Sequence, residues 1–241
     1  MKTSHIILLG LAVGMAACDS DSDAQKKVTV TGIAYVKGSS SPVAGGTVSI
    51  AESPTLTTTT DATGRWSLEV DKGATVTPFM VAEGFVTTHT ETFTADGDLA
   101  DVHFQMIPPT LFELLAGALG IVPDPAKCQI STEVTDLMAQ DLSLEALITE
   151  RPHGVEGVTI AMDPTGGPIT FFAFGEPFDL PNADLTATTT SGGLVSTQVD
   201  PGVYTITATH PSRTFSSIKI TCAAGRFINA TVPHGLHETA R

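Results

Sequence analysis

The side chains able to do chemistry are few and scattered. His153-Gly154-Val155-Glu156 spells His-x-x-Glu, a fragment of a zinc site. A catalytic zinc needs three protein ligands and an open position. Here the pair falls at a turn before a strand, and Gly154 speaks against a helix. His234-Gly235-Leu236-His237-Glu238 offers two spaced imidazoles, able to hold a metal adventitiously, in what reads as a solvated tail. Asp96, Asp98 and Asp101 cluster in a turn and supply the hard oxygens that calcium prefers, but no full ligand loop follows. There is no Ser-His-Asp motif, no P-loop and no Gly-x-Gly-x-x-Gly fingerprint. Cys128 and Cys222 sit in no catalytic motif. The expectation is no enzyme, no metal site and no cofactor.

Composition narrows the class further. The 241 residues carry 26 acidic and 12 basic side chains, a formal net charge of −14. Nucleic acid is a poor partner, because phosphates are neutralised by clustered Lys and Arg. Only 16% of residues are charged, whereas Gly and Pro number 22 and 15. Thr is abundant, in runs such as Thr57-Thr58-Thr59-Thr60. Low charge, turn formers and β-branched residues predict short strands joined by tight turns.

The amino-terminal residues read as an address. Lys2 precedes an apolar run, Ile6 to Val13, too short to span a bilayer. Gly14-Met15-Ala16-Ala17-Cys18 then resembles the lipobox of bacterial lipoproteins, with Met15 where Leu is usual. That resemblance implies removal of residues 1–17 and diacylation and N-acylation of Cys18. The alternative is ordinary cleavage after Ala17. Two or three acyl chains would anchor stably where one is marginal. Residues 18–27, with Asp19, Asp21 and Asp23, read as a solvated acidic tether. By analogy, Asp after the lipidated Cys retains some lipoproteins at the inner membrane. Acidic stretches elsewhere mark surface export. We favour the outer membrane or cell surface over the inner membrane.

The body of the chain repeats itself. Pro42-Val43-Ala44-Gly45-Gly46-Thr47-Val48 and Thr60-Asp61-Ala62-Thr63-Gly64-Arg65-Trp66-Ser67-Leu68 have weaker counterparts at Val155–Ile160 and Thr189–Val199. Gly64 aligns with Gly193, and Val70-Asp71 with Val199-Asp200. Val28 to Ile33 alternates as a half-buried strand, and Trp66, Leu68 and Val70 share one strand face. Asp61 to Gly64 is a turn in which Asp bonds its own backbone. Turn signals recur about every 10 residues, the rhythm of a β-sandwich. These motifs resemble the carboxypeptidase regulatory-like domain, a prealbumin-like (transthyretin-like) Greek-key sandwich of about seven strands. The resemblance implies an all-β fold of two modules, residues 28–108 and 127–234. A linker spans 109–126 and a tail 235–241. It implies a non-catalytic module, since fold does not fix function. Intradiol dioxygenases share a related sandwich shape, but Tyr35 and Tyr204 fall one in each module, without a Tyr/His cluster. A Lys–Asn isopeptide link would have Lys127 and Asn229 as its candidates.

Three features remain. Thr110 and Glu113 spell a capping box and Gly120 a helix stop, so residues 110–119 predict a short helix, apolar nearly all round and therefore buried between the modules. Residues 137–151 fit a helix or a hairpin. Phe171, Phe172, Phe174 and Phe178 fall within an insertion that lengthens the second copy by 17 residues. Alternation cannot bury Phe171 and Phe172 on one face. The segment is a core strand or an exposed patch for a protein or glycan partner. With Cys18 acylated, export predicts a disulfide between Cys128, on the second module's first strand, and Cys222, near its last. Two buried thiols are the alternative. The expected function is a membrane-anchored structural or binding module of the bacterial cell envelope. The rival is an accessory or regulatory module for an envelope peptidase or glycan-active enzyme.

Overall fold

The computed structural model describes residues 26–150, 152–175 and 179–240. The expectations for residues 1–25, Cys18 among them, and for Phe178 lie outside the described residues. The strands of the first half are β1 (Lys27–Val36), β2 (Thr47–Ile50), β3 (Ser53–Thr59), β4 (Arg65–Asp71), β5 (Thr75–Val76), β6 (Pro78–Val81), β7 (Thr88–His89), β8 (Phe93–Thr94) and β9 (Phe104–Met106). Helix α1 (Pro109–Ala118) follows. The second half holds β10 (Cys128–Thr135), a 3-10 turn (Leu137–Asp141), α2 (Leu144–Thr149), β11 (Thr159–Asp163), β12 (Ile169–Ala173), β13 (Leu180–Asn182), β14 (Gly193–Val199), β15 (Gly202–Thr209), β16 (Thr214–Phe215), β17 (Ser217–Cys222), β18 (Phe227–Ala230) and β19 (Leu236–Ala240).

Both halves build the same all-β sandwich. In the first, β4 pairs antiparallel and β9 parallel with β1, and this sheet faces β3-β2-β6-β7. In the second, β14 and β18 flank β10 in the same senses, facing β11-β15-β17. Alternation drives each sheet inward. Trp66, Leu68 and Val70 are buried while Arg65, Ser67 and Glu69 are exposed. Burying each such side chain contributes about 1.5–3 kcal/mol. Two separate cores result, one around Trp66 and Phe104 and one around Ile130, Ile206 and Ile220. Cys128 and Cys222 form a disulfide, Cα atoms 5.8 Å apart, tying β10 to β17 across the second sandwich.

The repeat holds with a shift of one residue. Gly64, at φ +77°, turns against Ala34 O, where a Cβ would sit at 2.3 Å. Its equivalent is Gly192, at φ +70° against Val134 O, rather than the aligned Gly193. A bulge between Cys128 and Ile130, opposite Gln198 at φ +55°, absorbs the extra residue before Val199-Asp200.

Four expectations are corrected. The halves meet directly, because β18 pairs parallel with β7, Phe227 opposite Thr88 and Ile228 opposite His89. One sheet therefore runs β13-β12-β14-β10-β18-β7-β6-β2-β3 through both sandwiches. That leaves no gap for a plug, and α1 lies on the surface with only Ala116 buried. The Thr110–Glu113 capping box does not form. Pro108 is the N-cap and Pro109 takes the first helical position, which suits proline and starts the helix upstream. Gly120 does end it: the Gly120 and Ile121 N–H groups donate to Gly117 O and Ala116 O. Finally, 235–240 is no solvated tail. β19 pairs with β10 and β16, and Leu236 and Glu238 are buried.

Candidate binding site

The outer face of β14-β10-β18 is the floor of a cleft of about 480 Å³, walled by α1 and α2. The strand period of two sets its chemistry. Ile130 and Val134 point into the core, so Gln129, Ser131, Glu133 and Thr135 point into the cleft. Val195 and Thr197 of β14, and Asn229 just beyond Phe227 on β18, extend the floor. The walls are apolar. Leu111, Phe112 and Leu115 form one stripe of α1, continued by Leu119 at its C-cap, while Leu147 and Ile148 come from α2. Phe112 meets Phe227 edge-on, ring centroids 5.4 Å apart, which seats α1 on β18. Leu114, on the other side of α1, is 56% exposed.

The first sandwich closes one side with Tyr35, Lys37, Gln105 and Ile107. Lys37 Nζ donates to Gln105 Oε1 at 2.9 Å, and Asn229 Nδ2 donates to the same oxygen at 3.2 Å across the junction. Burial, then the Glu133 charge, push the Tyr35 phenol pKa up, so it stays a neutral donor. At the α2 end the Thr135 hydroxyl, on a residue 2% exposed, and His153 Nε2 have no hydrogen-bond partner. His153 is held by its backbone. Its carbonyl accepts the Asp136 N–H at 3.0 Å, and Gly154 lies so close to the 190–192 turn that a Cβ would sit 2.1 Å from Gly192 N. The cleft offers hydrogen bonds along one side and apolar surface along the other.

The structure separates the residues singled out from sequence. Phe171 is buried in the second core, Phe172 lines the cleft and Phe174 is 40% exposed, so the Phe cluster is not one patch. His153 lines the cleft, whereas Glu156 is exposed. His234 Nε2 contacts Ala100 O at 2.8 Å, and His237 Nδ1 contacts Gly235 O at 3.1 Å. Asp98 accepts the Thr29 N–H at 2.8 Å. Lys127 pairs with Asp200 while Asn229 bonds Gln105, so the isopeptide candidates hold different partners. Tyr35 and Tyr204 lie in different sandwiches, and the Tyr204 hydroxyl donates to Asp200 O at 2.8 Å. Among the described residues no three His, Cys, Asp or Glu side chains converge on a metal site, and no helix is long and apolar enough to cross a membrane.

Sequence reasoning missed the cleft floor and two buried carboxylates. Glu238, fully buried, pairs with Arg213 Nη1 at 3.1 Å and accepts the Leu137 N–H. Glu91, 6% exposed, accepts the Gly235 N–H at 3.0 and 3.2 Å across the junction. Burial pushes its pKa up to about 7, against a smaller lowering by that hydrogen bond. The one cue for the floor was the apolar stripe of α1, which needed a surface to face.

The class these features define is an all-β protein of two fused sandwiches with an amphipathic cleft. No protein-family model matches the chain, and no curated protein matches it. Among solved structures it is similar to the minor pilin GBS52 of Streptococcus agalactiae, at 9% identity over 89% of this chain and 97% of that one, TM-score 0.29. The shaft pilin SpaA of Lactobacillus rhamnosus GG matches at 12% identity over 90% and 99%, TM-score 0.26. A cohesin–X-dockerin complex of Acetivibrio cellulolyticus matches at 20% identity over 34% of this chain, which spans 58% of that one, TM-score 0.29. The fold described above rests on its own strand pairing.

Proposed function

We propose that this chain is a non-enzymatic lipoprotein of the bacterial cell envelope, whose fused prealbumin-like sandwiches form a binding module. Acylated Cys18 and the acidic tether hold it at a membrane, on the outer membrane or cell surface. The observation that carries the binding reading is the cleft, with its apolar helical walls, its polar strand floor and the unpartnered Thr135 hydroxyl. Ligand sites are concave, largely apolar and fitted with a few placed polar groups.

Two measurements test this. In cells fed labelled palmitate the parent chain is expected to take up label and Cys18→Ser is not. No label in the parent, or equal label in both, would overturn the anchor. The same otherwise complete Cys18→Ser chain is expected to bind the neutral dye Nile red at one site. Adding Ser131→Trp, which fills the cleft from its floor, abolishes that binding at unchanged thermal stability. No dye binding, or binding indifferent to Ser131→Trp, would overturn the cleft as the site.

A further inference from the structure

We infer that the β3 edge of the shared sheet pairs antiparallel with β3 of a second copy of this chain, giving a two-fold dimer. β3 (Ser53–Thr59) ends the sheet path, and β2 is the one strand that pairs with it among the described residues. The Thr60 N–H donates to Gly46 O at 2.9 Å, and Thr60 O accepts the Gly45 N–H at 3.0 Å. Backbone direction alternates along a strand, so Thr58 also faces β2, and the N–H and C=O groups of Thr57 and Thr59 face outward. Such a row is a template for another strand, and proteins ordinarily blunt it with charge, proline or shortness. The other edges follow that rule. β13 is three residues long and holds Pro181, β4 exposes Arg65 and Glu69, and β11 ends in exposed Asp163. β3 is seven residues long without a charged side chain, and its Pro54 lies near its start, away from Thr57 and Thr59.

Register and charge select a second copy. Leu56 is the central residue of β3, half-buried against the first core. A two-fold axis through it overlaps the whole strand and sets Leu56 against Leu56 of the second copy, Cα atoms about 4.5 Å apart. Leu56 is then covered from the side that the edge leaves open. Thr55 stands opposite Thr57, a favourable cross-strand pair. Glu52 and Asp61, which flank the strand, fall opposite Thr60 and Ala51 and so meet no like charge. Both carboxylates are also held within their own chain, Glu52 by Thr77 and Asp61 by the Thr63 and Arg65 N–H groups. A chain of net charge −14 repels its copies over most of its surface, and the neutral β3 edge is where two of them can approach. A basic partner would find no charge on β3 to read. Pairing about a two-fold axis consumes the edge, so the assembly closes as a dimer. β7, β6 and β2 separate β3 from β18, so the dimer leaves the cleft open.

The test is sedimentation equilibrium of the otherwise complete Cys18→Ser chain, which is expected to be dimeric at about 0.1 mM. Thr57→Pro loses an N–H that faces outward, so it should fold as the parent does and weaken the dimer about tenfold or more. Thr55→Lys with Thr57→Lys sets Lys opposite Lys across the pair and should also weaken it, without altering the backbone. Register is read by mild oxidation, with the Cys128–Cys222 disulfide leaving one free thiol in each single-cysteine variant. Leu56→Cys should crosslink to its own copy. Thr59→Cys should not, because its two copies lie about 20 Å apart, beyond the reach of a disulfide. Nile red binding should be the same in the parent and in Thr57→Pro, which keeps this test separate from that of the cleft. A monomeric parent, a dimer indifferent to both edge variants, or equal crosslinking at positions 56 and 59 would each overturn the inference. Slow amide exchange at Thr57 and Thr59 in a monomeric parent would point instead to the chain's own residues 1–25 on the edge.

Discussion

Glu91 should make the junction between the sandwiches pH-dependent, and Glu91→Gln isolates the effect. The carboxyl is 6% exposed and its hydrogen-bond donor is the Gly235 N–H. Its pKa is pushed from 4.5 up to about 7, burial outweighing that bond. The folded state thus holds the proton more tightly than the unfolded chain. Between the two values the folded protein binds more protons, so stability falls as pH rises from about 4.5 to about 7 and levels off above. At 1.36 kcal/mol per pKa unit the full span is worth about 3 kcal/mol, of which about 2.5 kcal/mol falls between about pH 5 and pH 8.

Gln keeps a carbonyl oxygen for the Gly235 N–H and cannot ionise. His89 works in the opposite sense: burial, then Arg226, lower its pKa to about 3, so its contribution is lost as pH falls below 6.5. It is common to both proteins and cancels in their difference. Urea unfolding of each at about pH 5 and about pH 8, disulfide intact, should show Glu91→Gln gaining about 2.5 kcal/mol on the parent, with unchanged m-values. A difference independent of pH would mean that Glu91 ionises normally in the fold. The junction around it would then be wet, and the reasoning from burial would fail.

The disulfide closes a span of 94 residues, so Cys128→Ala with Cys222→Ala should lower stability by about 4–5 kcal/mol in urea unfolding. The parent should show no reactive thiol from either residue when denatured without reductant. Arg213→Ala removes the guanidinium that pairs with buried Glu238, and should cost roughly 1.5–3 kcal/mol, part of it recovered by adding Glu238→Gln. Gly192→Ala should cost at least about 1–2 kcal/mol, since a left-handed backbone and contact with Val134 O both oppose a Cβ. Gly193→Ala, with no positive φ, should cost less. The reverse order of urea midpoints would restore Gly193 as the partner of Gly64.

What could be read from sequence was local. Trp66, Leu68 and Val70 announce their strand because side chains alternate across a sheet. Asp61 announces its turn because its carboxylate reaches the Thr63 and Arg65 N–H groups, at 2.8 and 3.0 Å. The cysteine pair was legible from an expectation of export and from strand position. Contacts between distant segments were not. β7 is two residues long and joins β18 in parallel, with no turn between them to signal the pairing. The segment after Gly235 looks polar because Glu238 carries its charge into the core, paired with an Arg 25 residues away. Helix α1 looked buried because it is apolar nearly all round. Only its contact with Phe227 reveals that one stripe faces a floor and the rest faces solvent. Alternation split the Phe cluster between the core, where Phe171 lies, and the cleft, which Phe172 lines.

The junction itself explains why the cleft has a fixed shape. Each sandwich closes its own core, and neither core crosses the junction. Directional bonds do. Thr92 stands between Thr77 and Thr221, each hydroxyl 2.8 Å away, and its N–H donates to Lys219 O at 2.7 Å. Asn229 reaches Gln105, His234 reaches Ala100 O, and Gly235 reaches Glu91. Hydrogen bonds specify orientation in a way that apolar area does not, and those buried here are costly to leave unmade. Since Tyr35, Lys37 and Gln105 come from the first sandwich and the floor from the second, the cleft is complete only when this seam is formed. Ionisation of Glu91, on the same seam, works against the pairing that completes it.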